Sequence, residues 1–561
     1  MRRFYALLAA TLLATVSFAQ KPIRNANTDA SIGKSARQTI NLADGSTTLR
    51  GNYFKPTANA AASRIKKTDA EETLITEQPE GTLYKDMYYS SYYYLNFYNT
   101  VLHGDADGYA RDMVVADDGS IYIKNPISQL STGTWLKGTK GEGDTIVVKM
   151  PQPIYEEGYE GDMYKYYAAK FYYSTVERWY VEDTVDTDMK FVWRNDSLIC
   201  TESTMLGLLD EYSGDWVGFG DLNLTMSKIN ETAPSIPSDA TVEKYMLEAH
   251  DTDTTSTYAV VDVAIDGSDI YINGFPDNYI KNPCIKGTIE GNKVTFPAMQ
   301  YVGVDSVEHA HVFAASANIT VTETFGITFN DVSLNSNPVV FDYDSANKTL
   351  TTTGNILFNY GNKSANEITS FRLPELNGWN EVAAVPADPV FVEWLDYDAS
   401  SGYGRFGVNL YAKDVNGNTI DPAKMYYNIY MDEEVLTLYP DEYIALSEEM
   451  TDIPFYFVDN YSIHRYNDKR RIYYYSTGFE KLGVKVYYTG GGETNASNLV
   501  YYYVNNEDTG ISGISSDETT VKSVSYTDLS GRKVSNPSKG IFIKSTTYAD
   551  GTKKNIKIIK K

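Results

Sequence analysis

Asp118-Gly119-Ser120-Ile121-Tyr122-Ile123 is answered further along the chain by Gly267-Ser268-Asp269-Ile270-Tyr271-Ile272. The block that follows the first, Trp135-Leu136-Lys137-Gly138-Thr139 and then Gly143-Asp144-Thr145-Ile146-Val147-Val148, has its counterpart in Cys284-Ile285-Lys286-Gly287-Thr288 and then Gly291-Asn292-Lys293-Val294-Thr295-Phe296. Tyr122 and Tyr271 stand 149 positions apart (271 − 122), and so do Gly138 and Gly287. One offset shared by separated blocks is the mark of an internal duplication. Ile-Tyr-Ile alternates with period two, and Gly-Asp-Thr or Gly-Asn-Lys is a tight-turn signal before the next alternating run, so each block reads as a β-hairpin.

Strand, polar turn and strand recur downstream in Lys190-Phe191-Val192-Trp193 with Asn195-Asp196-Ser197-Leu198, and in Val339-Val340-Phe341-Asp342 with Ala346-Asn347-Lys348-Thr349-Leu350. The expected fold class is therefore all-β, with two homologous antiparallel domains at 79–234 and 235–384 joined at Pro234 and Pro237. A unit of that size buries roughly 68–70% of its unfolded surface, enough for its own core. Residues 20–78, with runs such as Asn59-Ala60-Ala61-Ala62-Ser63, read as a flexible leader. A third unit, 385–508, opens at Pro386-Ala387-Asp388-Pro389 and continues through short strands such as Val390–Trp394, Gly404–Tyr411, Tyr426–Met431 and Val484–Tyr488. Many short strands parted by turn signals suit a β-sandwich, and the unit resembles fibronectin type III or immunoglobulin-like domains in architecture. Such a fold carries no activity of its own to borrow.

Composition narrows the function. The 561 residues carry a formal net charge of −25, from 74 acidic and 49 basic side chains. That charge repels phosphate backbones and anionic membranes, so no nucleic-acid partner is expected. Arg2 and Arg3, the apolar run Ala6–Val16 and then Ser17-Phe18-Ala19 read as a secretory signal peptide over 1–19, too short to span a bilayer. No later stretch reaches the ~20 apolar residues of a membrane helix, and no membrane insertion is expected. The two cysteines, Cys200 and Cys284, permit at most one disulfide, and each lies in an apolar context. Tyrosine, at 48 residues, is the outlier; aromatic residues suit half-buried pleated surfaces.

The final stretch, 509–561, is locally basic. It runs Val521–Tyr526, Asp528-Leu529-Ser530-Gly531-Arg532-Lys533-Val534, Lys539-Gly540-Ile541-Phe542-Ile543-Lys544 and Lys557-Ile558-Ile559-Lys560-Lys561. This succession of short strands resembles the C-terminal sorting domain of Bacteroidetes-type (Por, or type IX) secretion cargo. The resemblance implies a small β sorting domain with Gly531, Lys539 and Gly540 in its sorting segment, the secretion machinery as partner, and delivery to the outer cell surface or beyond. Lys on short edge strands also keeps them from aggregating, which is the plainer reading of the same charge.

No Gly-x-Ser-x-Gly elbow, His-Glu-x-x-His or phosphate-binding Gly-rich loop occurs, so the chain is not expected to be an enzyme, and no catalytic, cofactor-binding or metal residues are assigned. His309 and His311, two apart on an expected strand, would share a face and could clamp a metal, but the apolar Val312-Phe313 beside them favours a structural pair. Asp105-Ala106-Asp107-Gly108 and Asp251-Thr252-Asp253 are oxygen-rich loops suited to structural calcium; neither completes an EF-hand, and a solvated polar turn is the simpler reading. The chemistry that remains is aromatic. Tyr88-Tyr89-Ser90-Ser91-Tyr92-Tyr93-Tyr94 and Tyr164–Tyr173 put rings on both faces of any strand. Tyr92, Tyr93 and Tyr94 are the candidate ligand-stacking residues, since an exposed phenol stacks on a sugar face or anchors a protein contact. The expected function is a secreted or cell-surface, non-catalytic binding protein for a glycan or protein ligand, with avidity from tandem sites. A purely structural stalk protein and an extracellular hydrolase with an unrecognised carboxylate site are the alternatives.

Overall fold

The computed structural model describes residues 40–43, 49, 73–97, 100–159, 161–176, 179–211, 213–250, 256–275, 283–324, 327–459, 461–466, 468–504, 515–516, 521–528, 533–534, 540–548 and 553–560. Among these residues the only helical segment is the single 3-10 turn Pro422–Lys424, and no helix is long and apolar enough to cross a membrane. The chain is all-β, as the alternation and tyrosine content predict.

Copy 1 comprises β1 (Ile40–Asn41), β2 (Thr82–Phe97), β3 (Thr100–Val115), β4 (Ile121–Lys124), β5 (Leu130–Ser131), β6 (Trp135–Lys140), β7 (Thr145–Val148), β8 (Gln152–Tyr159), β9 (Asp162–Ser174), β10 (Trp179–Glu182), β11 (Met189–Arg194), β12 (Ser197–Cys200), β13 (Met205–Asp210) and β14 (Trp216–Ser227). Pairing runs β2–β3–β4–β6–β7–β11–β12–β14 and returns to β2, which closes a barrel. A side sheet, β8–β9–β13, joins the upper half of β14, and β10 extends it from β9. Copy 2 comprises β15 (Val242–His250), β16 (Ser256–Asp266), β17 (Asp269–Asn273), β18 (Cys284–Glu290), β19 (Lys293–Phe296), β20 (Met299–Asp305), β21 (Ala310–Thr324), β22 (Ile327–Leu334), β23 (Val339–Asp344), β24 (Thr349–Thr351), β25 (Asn355–Tyr360) and β26 (Glu367–Gly378). Its order β16–β17–β18–β19–β23–β24–β26, with the side sheet β20–β21–β25 and β22 beyond β21, parallels the pairing of copy 1 apart from β1 and β5.

Local details repeat as well. Ile121 and Ile123 point inward while Tyr122 lies under the Lys137 ammonium, 5.8 Å from its ring; Tyr271 and Lys286 repeat this at 5.6 Å. The Gln152 amide bonds both Lys137 N (3.0 Å) and Lys137 O (2.7 Å), and the Gln300 amide does the same with Lys286 (2.8 and 3.0 Å). A side chain that completes a neighbouring strand's backbone hydrogen bonds satisfies groups that would otherwise be buried unpaired.

The chain divides into two compact units: Ser31–Glu243 with Asp262–Glu375, and Met1–Ala30, Lys244–Val261 and Leu376–Lys561. Both copies contribute to the first of these units. They pack through a polar joint. The buried Asp107 carboxylate accepts the Tyr88 hydroxyl (2.6 Å) and the backbone N–H groups of Asn362 (2.9 Å) and Lys363 (2.7 Å), and the Lys363 ammonium reaches Ser90 Oγ (2.7 Å). Tyr88 stacks on His311 at 5.4 Å. Gly108 (φ +75°) is the extra residue of a β-bulge, between the pairs Tyr89↔Tyr109 and Ser90↔Asp107.

Part of the stretch read as a leader is built into copy 1. Ile40–Asn41 pairs in parallel with β5, Leu42 and Leu49 are buried in the barrel core, and Leu49 N donates to the buried Glu157 carboxylate (2.7 Å). Isolated leucines among polar residues carry no periodicity, so only the barrel reveals their role. The barrel's interior is filled by the loop between β4 and β6. Ile127, Ser128 and Leu130 are buried there; Asp221 accepts Ser128 N (2.8 Å), Ser128 Oγ (2.6 Å) and Ser91 Oγ (2.5 Å), and Arg111 donates to Ser128 O (2.9 Å). Burial raises the Asp221 carboxyl above its ordinary range, against the pull of its serine donors.

In the second unit, β27 (Val390–Asp398) and β28 (Tyr403–Asn409) are followed by β29 (Met425–Met431), β30 (Glu434–Val435), β31 (Ile453–Pro454), β32 (Ile463–Tyr466), β33 (Lys469–Tyr474), β34 (Lys481–Gly490), β35 (Glu493–Ala496), β36 (Val500–Tyr503) and β37 (Ser515–Ser516). The sheets β27–β28–β33–β32 and β30–β29–β34–β36–β37 share one core, with Phe406, Val408 and Ile472 on one side and Tyr427, Ile429, Val484 and Val486 on the other. The tail forms a separate sheet, β39–β38–β40–β41, from β38 (Val521–Asp528), β39 (Lys533–Val534), β40 (Gly540–Tyr548) and β41 (Lys553–Lys560).

Candidate functional site

The side sheet of copy 1 carries a continuous aromatic face. Register places Tyr94 opposite His103 and Tyr92 opposite Asp105 on β3, with Gly220 and Leu222 of β14 on their other side. Gly220 in turn faces Gly207 of β13, and Tyr173 of β9 faces Tyr180 of β10. Period two puts all these residues on one side of the sheet. Gly207 and Gly220 make room for side chains that cross them on this face: a Cβ on Gly207 would lie 2.6 Å from the Phe171 ring, and one on Gly220 would lie 2.6 Å from Met205 Sδ. The sheet curls, so that Tyr180 meets both Tyr94 (centroids 5.0 Å) and Trp216 (5.7 Å). Phe171, Met205, Leu209 and Trp216 lie on this same face and form the small core against which Tyr94 and Tyr180 pack.

The rings form a series. Tyr173 meets Tyr180 edge-on at 5.5 Å, Tyr94 meets Tyr92 at 5.5 Å, and His103 lies 5.7 Å from each of the latter two. The Tyr92 hydroxyl and His103 Nδ1 share a hydrogen bond of 2.5 Å. Tyr173 is 54% exposed and His103 is exposed, while Tyr92, Tyr94 and Tyr180 are half-buried, each fixed by neighbours yet open on one side. Asp105 stands exposed at one end and the half-buried Glu182, two residues from Tyr180, at the other. Burial, then the Tyr94 hydroxyl bonded to it, raises the Tyr180 phenol, and burial beside Asp183 raises the Glu182 carboxyl. Flat rings bordered by hydroxyls, an imidazole and carboxyl groups can stack on an apolar surface and bond the polar groups around its edge.

Of the three tyrosines singled out in the sequence, Tyr92 and Tyr94 share this face. Tyr93 points to the other side of β2, against the barrel core, where burial raises its phenol. Sequence reasoning did not single out Tyr180, Trp216 or His103. They reach Tyr94 only through strand pairing and curl, although the aromatic run ending at Tyr173 was a usable signal.

The other expected sites fall differently. His309 lies in the turn before β21 at φ +49°, whereas His311 is buried within β21 between Tyr88 and Tyr301, so the two share no face. Asp105–Gly108 lies within β3 and not in a loop; Asp107 is spent on the joint between the copies. Asp251–Asp253 lies outside the described residues, as do Gly531 and Lys539, while Gly540 opens β40. Among the described residues no group of three or more His, Cys, Asp or Glu is arranged to hold a metal ion. Cys200 and Cys284 are unpaired thiols, and burial raises both, Cys284 to about 11.

No known protein family, curated protein or solved structure matches this chain. With Gln152 opposite Ala168 and Gln300 opposite Ala314, the positions of Phe171, Tyr173 and Tyr180 are taken in copy 2 by Ala317, Ile319 and Val332. The corresponding cluster there is aliphatic, with Ala315, Leu357 and Leu334. At these three positions copy 1 has rings and copy 2 has aliphatic side chains.

Proposed function

We propose that the protein is an exported, non-catalytic binding protein whose aromatic face on copy 1 takes an uncharged glycan. The observation that supports this is the series Tyr173, Tyr180, Tyr94, Tyr92 and His103. Rings this close, each packed on one side, lose little side-chain freedom when a ligand docks. Asp105, Glu182 and His103 supply acceptors and a donor for hydroxyl groups at the edge of a stacked sugar, which favours a saccharide over an apolar peptide surface.

Tyr94→Ala, read by glycan array and by affinity electrophoresis in gels containing neutral polysaccharide, is expected to weaken binding about tenfold, the equivalent of one lost stacking contact. The exposed Tyr173→Ala should do the same with an unchanged thermal midpoint. Binding unaltered in both variants, or no retained glycan for the wild type, refutes the assignment.

Export rests on the signal-like residues 1–19 and on the basic tail sheet. Deleting Val521–Lys561 is expected to leave the remaining units folded and the protein held in the periplasm, as read by fractionation and surface proteolysis. Normal surface display of the truncated chain would remove the sorting role.

A further inference from the structure

The outward face of β27–β28–β33–β32 in the second unit carries a cluster that the ring site does not use. Pairing puts Glu393 opposite Gly407, Gly407 opposite Arg471, Arg405 opposite Tyr473, and Arg471 opposite His464. Paired residues share a face, so all of these project away from the Phe406, Val408 and Ile472 core. The Glu393 carboxylate lies among three cations: Arg405 Nε at 2.9 Å, Arg471 Nη2 at 3.3 Å, and the Lys469 ammonium in contact. One carboxylate against three cations leaves an excess of two positive charges, in a chain whose net charge is −25. Arg471 Nε is buried without a hydrogen-bond partner among the described residues.

Gly407 gives the cluster its floor. A Cβ there would lie 2.6 Å from Lys469 Cε and 2.8 Å from Glu393 Cβ, so only glycine lets the two side chains cross it. Rings flank the charges on both sides: Tyr403 and Tyr473 meet edge-on at 5.1 Å, and the Arg471 guanidinium lies over Tyr466 at 5.1 Å, with His464 beside that ring. Guanidinium groups pair with planar carboxylates through two parallel hydrogen bonds, and rings beside them favour a ligand with a flat apolar side.

We infer that this face is a second binding site, for a saccharide chain bearing carboxylate groups, whose acid groups engage Arg405, Lys469 and Arg471 while its sugar rings lie against Tyr403 and Tyr473. Charge complementarity selects this occupant over the uncharged glycan assigned to copy 1. Glu393 acts as a built-in competitor that holds the cations in place when the site is empty.

The test uses the full mature chain with polygalacturonate as probe and its fully methyl-esterified form as control, read by affinity electrophoresis and calorimetry. Polygalacturonate should bind and the ester should not. Arg405→Gln with Arg471→Gln should weaken binding about tenfold or more, the size expected for a lost charge-assisted pair. Glu393→Gln should strengthen it, because a competing charge is gone while the amide keeps the shape. Arg471→Lys, which keeps the charge but not the fork, should fall between the wild type and the double variant. Tyr94→Ala should change nothing, which separates this site from the ring site of copy 1. Equal affinity for acid and ester, weaker binding by Glu393→Gln in a protein of unchanged thermal midpoint, or absence of polygalacturonate binding overturns the inference.

Discussion

Asp221→Ala is expected to unfold the interior of the copy 1 barrel, at a cost of about 3–5 kcal/mol, the range for removing one partner of a buried charged network. The carboxylate is wholly buried and accepts three hydrogen bonds, from Ser91 Oγ, Ser128 N and Ser128 Oγ, none of which has water to turn to. These bonds tie β14 to the loop that fills the barrel, where Tyr89 donates to Pro126 O and Ile127 and Leu130 pack. Stability of the order of 5–15 kcal/mol cannot absorb such a loss without consequence. Denaturant unfolding should show it, with faster amide exchange across residues 125–134. The pH dependence has a definite sign. A carboxyl raised in the folded state binds more protons there than in the unfolded chain between the two pKa values, so its contribution to stability is full below the unfolded value and declines as pH rises through the folded one. Asp221→Asn removes the titration, so the difference between wild type and this variant should shift in the wild type's favour on acidification. A difference that does not vary with pH would show that Asp221 is not raised.

Gly361→Ala is expected to separate the two copies. Gly361 has φ +72°, and a Cβ on it would overlap the Asp107 Oδ2 that accepts Asn362 and Lys363. Across the joint, a Cβ on Gly108 would lie 2.5 Å from Gly361 Cα, so the two backbones meet where neither tolerates a side chain. Left-handed strain of about 1 kcal/mol or more adds to the displacement of a buried carboxylate, and a total of about 3 kcal/mol is expected. Thermal unfolding, expected to be a single step for the two copies in the wild type, should split into two steps, with new protease cleavage between residues 228 and 241. Gly143→Ala is the control: φ is +62° but nothing lies within 4 Å of the added carbon, so strain alone operates. A Gly361→Ala protein no less stable than Gly143→Ala would mean that the joint does not depend on this contact.

Much of this fold was legible because it depends on local pattern. Ile121-Tyr122-Ile123 and Ile270-Tyr271-Ile272 alternate, and both strands bury their isoleucines. The 149-residue offset matched strands that the structure pairs identically. The turn reading of Asp105–Gly108 failed because Asp-Gly is a signal shared by turns and glycine bulges, and only long-range contacts decide between them. Tyr92, Tyr93 and Tyr94 were legible as rings but not as a site, because the pleat sends the middle one to the opposite face.

Alternation and turn chemistry, both properties of neighbouring residues, determined from the sequence alone that the fold class is all-β. The tertiary structure alone decided that copy 1 has rings where copy 2 has aliphatic side chains, that Leu42 and Leu49 return to the barrel, and that Arg405, Lys469 and Arg471 converge on Glu393. Each of these joins residues on different strands or segments, and which strands become neighbours is settled by the closing of the sheets and not by any local preference.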